Sequence, residues 1–169
     1  MNKYANIASR TAKFINKHYE DRLSQKLDNP ELIEYFIEQS KEIALFDNDL
    51  ELNKASREIM ALADKANQYV DSRKPWLLIK ESGNEDEVQS ICTTALNLFR
   101  IISILLSPII PGFAKKSLSF LGEDELGWKA ISKPMLGCKI NKFEAIVTRI
   151  EDEHIEKLMG AWMEEITIE

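Results

Sequence analysis

At 169 residues, 44% of them apolar, the chain can bury a core of its own and suits a single domain. A formal charge of −6 and an isoelectric point near 5.1 argue against nonspecific attraction to a polyanion, which needs net positive charge and counterion release. The charge is unevenly placed: residues 1–26 hold Lys3, Arg10, Lys13, Lys17, Arg22 and Lys26 against Glu20 and Asp21, a net +4 that leaves −10 for the rest, so this acidic chain can own one basic face.

The first helical pattern puts Tyr4, Ile7, Ala8, Thr11, Phe14 and Ile15 on one stripe and Asn6, Arg10, Lys13 and Lys17 on an adjoining polar face. No apolar run or cleavage site of a targeting segment marks this end. Asp28-Asn29-Pro30-Glu31 combines a capping residue, proline at the first helical position and an acid in the first turn. A second helix is therefore predicted from there to about Phe46, with a turn at Asp47-Asn48-Asp49. A third runs from about Glu51 to Arg73, with Ala55, Ile59, Ala63, Ala66 and Val70 inward. It must stop before Pro75, because the residue preceding proline avoids the α region, and Trp76 is thereby left at a helix exit.

Glu85 to Leu106 reads as the fourth and most buried helix, opened by the capping carboxylates of Glu85, Asp86 and Glu87. The apolar stretch Ile91 to Ile110 is interrupted by Asn97, Arg100 and Pro108 and is expected to be a core helix, with no membrane partner. Arg100 inside it is either a snorkelling edge residue or a buried charge that needs a partner. Cys92 falls in the apolar stripe as a small hydrophobe. With Cys138 as the only other cysteine, a disulfide scaffold is not expected and a reducing cytoplasm is. His18 and His154 lie far apart in sequence and no Cys-x-x-Cys occurs, so no zinc site is expected. A shorter helix, about Gly112 to Leu121, follows the bend at Pro108 and Pro111 and is closed by Gly122. Gly127 to Lys142 reads as loop with a short extended piece at Cys138 to Ile140. A last amphipathic helix begins near Asp152, with Ile155, Leu158, Met159 and Trp162 on one side. The fold expected is an all-α helical bundle without internal repeats.

The residue types on the first helix and at Pro75-Trp76 have a joint meaning. An aromatic plane to stack on, an amide to pair with a base edge and a guanidinium fork for phosphate or base make a base-reading pocket, and Asn6 and Arg10 could face Trp76. The bland alternatives are a tryptophan that plugs the turn and an ordinary solvated helix face.

The blocks Asn6-Ile7-Ala8-Ser9-Arg10-Thr11-Ala12-Lys13-Phe14-Ile15-Asn16-Lys17, Arg57 through Asp71, Pro75-Trp76, Leu96-Asn97-Leu98-Phe99-Arg100 and Leu106-Ser107-Pro108 resemble, in order and spacing, the C-terminal anticodon-binding domain of bacterial methionyl-tRNA synthetase, a class I enzyme. The resemblance runs to Thr148-Arg149-Ile150-Glu151. The His-Ile-Gly-His and Lys-Met-Ser-Lys-Ser signatures with which class I synthetases handle ATP are absent from the sequence. The chain thus resembles an excised domain, residues 1–169, with Met1 read as an expression start and the catalytic domain lying elsewhere in a parent protein.

The resemblance implies a bundle that grips the anticodon stem-loop of methionine tRNA, with Trp76, Asn6 and Arg10 at the bases and Asn67, Asp71 and Pro75 near the same pocket. Asparagine offers donor and acceptor and arginine only donors, which together favour the acceptor-rich edge of cytosine. Asp71 would act by exclusion, its carboxylate penalising poorly seated loops. Neither DNA nor a membrane is an expected partner. The fragment is expected to need no cofactor and to be non-catalytic, whereas the parent would use ATP and Mg, with zinc a further candidate in its catalytic part. Two other readings remain: a helical protein-interaction module, and the anticodon domain of another class I synthetase.

Overall fold

The computed structural model describes residues 2–48, 51–123 and 127–144; the helix expected from Asp152, with Trp162, and the block Thr148 to Glu151 lie outside them. The described residues form α1 (Asn2–His18), α2 (Pro30–Asn48), α3 (Leu52–Arg73), α4 (Pro75–Leu78), α5 (Glu85–Leu106), α6 (Pro111–Phe120) and a 3₁₀ turn, Trp128–Ser132, with no strand among them. This is the expected all-α bundle. Its axis is α5, which packs against α1, α2, α3, α4, α6 and the 3₁₀ turn. Every residue of α5 from Ile91 to Leu106 is buried, as a helix apolar on all sides requires. By length and composition α5 could cross a membrane, but 89% of its apolar window is buried inside the bundle, so its apolar surface is already used.

The apolar stripes face this axis. On α1, Tyr4, Ile7, Ala8, Thr11 and Ile15 are buried and Phe14 is half-buried. On α3, Ala55, Ile59, Ala63, Ala66 and Val70 are all inside. Tyr4 stacks on Phe99 of α5 with ring centroids 4.5 Å apart, and its hydroxyl shares a hydrogen bond with Ser103, the partner a buried phenol requires.

Several local expectations change. Asn29, directly before Pro30, caps α2 as the sequence pattern predicts, its Oδ1 accepting the Leu32 N–H at 3.0 Å, but α2 continues through Asp47 and Asn48, where a turn was expected. The segment read as loop contains the 3₁₀ turn, and its extended piece is a single antiparallel bridge between Arg22 and Lys139. Arg100 is the buried charge of the two readings. It is 4% exposed, its Nε and Nη2 fork onto Glu123 at 2.6 and 3.1 Å, and its Nη1 donates to the carbonyls of Ala130 and Lys133. A guanidinium is thus held at the core edge with four of its five donors used, and it fixes the chain that follows α6.

At the end of α3, Lys74 takes a left-handed conformation with φ 47° and donates its N–H to Val70 O at 2.9 Å. Pro75 then opens a new one-turn helix, α4, in which its missing N–H costs nothing. Trp76 is accordingly the second residue of a helix docked on α5.

Candidate functional site

Helix α3 delivers side chains to two sides at its C-terminal end, and one side is anchored. Thr94 of α5 accepts the backbone N–H of Asp28 at 2.9 Å, and neighbouring Thr93 accepts that of Ser24. The carboxylate of Asp28 then accepts the Tyr69 hydroxyl and an Arg73 N–H, each at 2.7 Å. Arg73 also reaches Glu87 at 2.7 Å, so Glu87 ties α3 to the first turn of α5 besides favouring the helix dipole. Burial first, and then the bond to Asp28, push the Tyr69 phenol well above its ordinary range, so it stays a donor. The last turn of α3 is fixed on this side, and with it the position of Asp71 on the other.

Asp71 meets Arg10. Arg10 Nη2 donates to Asp71 Oδ1 at 2.6 Å, with the two side chains 33% and 57% exposed, so water screens the pair and it contributes little to stability. The same guanidinium stands over Trp76, its carbon 4.4 Å from the ring centroid, a cation–π distance. Trp76 is half-buried, packed against the core beside buried Pro75. Arg10 therefore joins two other sequence-predicted residues, Asp71 and Trp76, by direct contact with each, and Pro75 sets the indole in place.

Asn6 and Asn67 stand one helical turn back. Asn6 is exposed on α1, four residues before Arg10, and its carbonyl accepts the Ser9 hydroxyl. Asn67 is half-buried on α3, four residues before Asp71, and its amide donates to Ala63 O at 2.9 Å. Both sit on the helices that carry the trio, and neither lines the cleft at Trp76.

That cleft has a volume of about 430 Å³ and is lined by Ser9, Arg10, Lys13, Phe14, Lys17, His18 and Trp76. In the sequence Phe14 belongs to the core stripe of the first helix, and no motif there singles out His18. The signal was present, since Arg10, Phe14 and His18 follow one another at i, i+4 and i+8 and must share a row of the helix surface. Among the described residues no group of three or more His, Cys, Asp or Glu side chains could hold a metal. Cys92 is buried in α5, and burial pushes its thiol up to about 12, which leaves it an inert hydrophobe.

The sequence from residue 24 to 164 matches the family described as the anticodon binding domain of methionyl tRNA ligase. Trp76, Asn67 and Asp71 lie within the matched residues; Asn6 and Arg10 precede them. The fold is shared with solved structures of Mycobacterium tuberculosis methionyl-tRNA synthetase. Its free form superposes with a TM-score of 0.79 at 18% identity, covering 89% of this chain and 32% of that one. The form bound by methionyl-adenylate gives 0.79 at 19% identity, covering 87% and 31%. A further complex with methionyl-adenylate gives 0.76 at 18%, covering 88% and 31%. The chain thus spans about a third of the length of these enzymes.

Proposed function

The chain belongs to the family of methionyl-tRNA ligase anticodon-binding domains, and on that basis we propose that it grips the anticodon stem-loop of methionine tRNA for a parent methionine-tRNA ligase. The parent would activate methionine with ATP and Mg on a separate catalytic domain, zinc being a further candidate there, and charge the distant 3′ end in the cytoplasm. The 169-residue chain by itself carries no ATP signature and is expected to give no methionine-dependent ATP–pyrophosphate exchange.

The observation that carries the reading is the meeting of Arg10, Asp71 and Trp76. Anticodon bases are single-stranded and can be splayed out, stacked on an aromatic plane and read on their Watson–Crick edges. Trp76 supplies the plane. Arg10 has five N–H donors, of which the contact with Asp71 uses one, so donors remain for an acceptor-rich base edge. Asn6, exposed one turn away, adds a group that both donates and accepts. Asp71 restrains Arg10 and places a negative charge beside the site, which penalises a loop whose phosphates approach wrongly.

Binding of a methionine-type anticodon stem-loop, measured against salt, tests this reading. A specific RNA site weakens as salt rises and prefers the methionine anticodon. A protein-docking module shows no such binding, and the anticodon domain of another synthetase prefers another loop.

A further inference from the structure

From Trp76 the cleft runs away from Asn6, along α1 toward its C-terminal end at Lys17 and His18. At 1.5 Å per residue it extends about 12 Å past Arg10, more than one base platform needs. Two rows line it: Arg10, Phe14 and His18 in one, Lys13 and Lys17 beside it. Phe14 is half-buried and packs on the core, and His18 is exposed. Their rings are nearly parallel, 23° apart in plane with centroids separated by 6.1 Å, an offset pair that forms a shelf. Among the described residues no carboxylate lines the cleft, Asp71 meeting Arg10 at its edge, and Lys13 and Lys17 make no ion pair. In a chain of net −6, a groove with Lys13 and Lys17 beside three aromatic rings suits a flat, anionic ligand.

We propose that this extension holds a second unstacked nucleotide, next in the loop to the one at Trp76, with its base on the Phe14–His18 shelf and its phosphate at Lys17 and Lys13. The proposal rests on the reading of Trp76 as an RNA site. Sequence-tolerant stacking fits the shelf, because every base has a π-face, whereas discrimination stays with Arg10 and Asn6. The competing role for His18 is local, in the last turn of α1, which would affect stability and leave RNA binding alone.

The test is stem-loop binding by wild type, His18→Ala and Lys17→Ala, using the methionine-type loop and versions made abasic at one anticodon-loop position at a time. His18→Ala is expected to weaken the intact loop by about five- to tenfold, toward the lower end of a base–aromatic stack, with an unchanged unfolding midpoint. On the loop that is abasic at the adjoining nucleotide the variant should bind as wild type does. Lys17→Ala should lower the slope of log affinity against log salt by about one. His18→Ala binding every loop as wild type does, while wild type still discriminates the first anticodon base, overturns the second subsite and leaves the proposed function standing. A His18→Ala penalty that persists on every abasic loop also overturns it. Wild type that shows no preference among stem-loops overturns both.

Discussion

The Arg10 guanidinium lies over the indole of Trp76, 4.4 Å from its centroid, and is held there by Asp71 at 2.6 Å. It covers one face of the ring, so on the proposed reading a base that stacks on that face has to displace it, and the Asp71 contact would set how readily it moves.

Asp71→Asn should loosen this restraint at little cost to the fold. The pair is largely exposed, and such pairs contribute about 0–1 kcal/mol, so the unfolding midpoint should barely change. Removing the negative charge should tighten binding of stem-loops with altered anticodons more than of the methionine type, narrowing the preference. Equal tightening toward all loops would make Asp71 a general repulsive charge without a part in selection.

Trp76→Ala should weaken stem-loop binding by about 1–3 kcal/mol, the scale of one base–aromatic stack, and Trp76→Phe should recover part of it. The indole is half-buried and packed on the core, so some stability is lost as well, but less than the roughly 3–5 kcal/mol typical of a fully buried tryptophan. Urea unfolding and stem-loop affinity measured on the same variant separate the two effects. A large stability loss with unchanged affinity would take Trp76 out of the site.

Glu123→Ala should be among the costliest polar substitutions. It would leave the Arg100 guanidinium, 4% exposed, without its charge partner, and breaking a buried pair in this way costs about 3–5 kcal/mol. Replacing both partners, Arg100→Met with Glu123→Leu, should be far milder, because no unpaired charge remains. Additive losses in that double-variant cycle would show that the fork is not a coupled unit.

Alkaline conditions should destabilise the fold before its tyrosines ionise. The Cys92 thiol is raised by burial to about 12, whereas the unfolded chain ionises near the usual 8.5. The unfolded state therefore loses its proton first, and stability, complete below about pH 8.5, falls by up to about 1.4 kcal/mol per pH unit as the pH climbs toward 12. Burial raises Cys138 and Tyr19 as well, and their contributions have the same sign. Denaturant unfolding between pH 8 and 10 should show a shallower decline in Cys92→Ala than in wild type. Identical slopes would mean that the thiol is not buried as described.

The helices were legible in the sequence wherever one periodic face met the core, because burial enforces the period. The bounds expected for the fourth helix are those of α5, and the inward alanines of α3 are the buried ones. What escaped depended on partners distant in sequence. The capping segment before Pro30 was legible, but nothing local showed that the Asp28 carboxylate serves Tyr69 and Arg73 on α3. Proline's rule placed the end of α3, but the left-handed turn at Lys74 and the new helix that starts at Pro75 and packs on α5 have no periodic signal in so short a segment. The site followed the same division. Asn6 and Arg10 were visible as one face of one helix and Trp76 as an aromatic after proline, whereas the clamp of Arg10 between α3 and α4 and the row ending at His18 needed three dimensions.

Preference for the first anticodon base is the most direct measure of the account. Affinities of wild type, Arg10→Ala and Asn6→Ala should be compared for the methionine-type stem-loop and for one altered only at that base. Wild type should favour the methionine type, and each variant should lose about 1–3 kcal/mol of that preference, the scale of a specific base contact, with its unfolding midpoint little changed. Wild type that binds the two loops equally, or variants that weaken both loops by the same factor, would contradict base reading by Arg10 and Asn6.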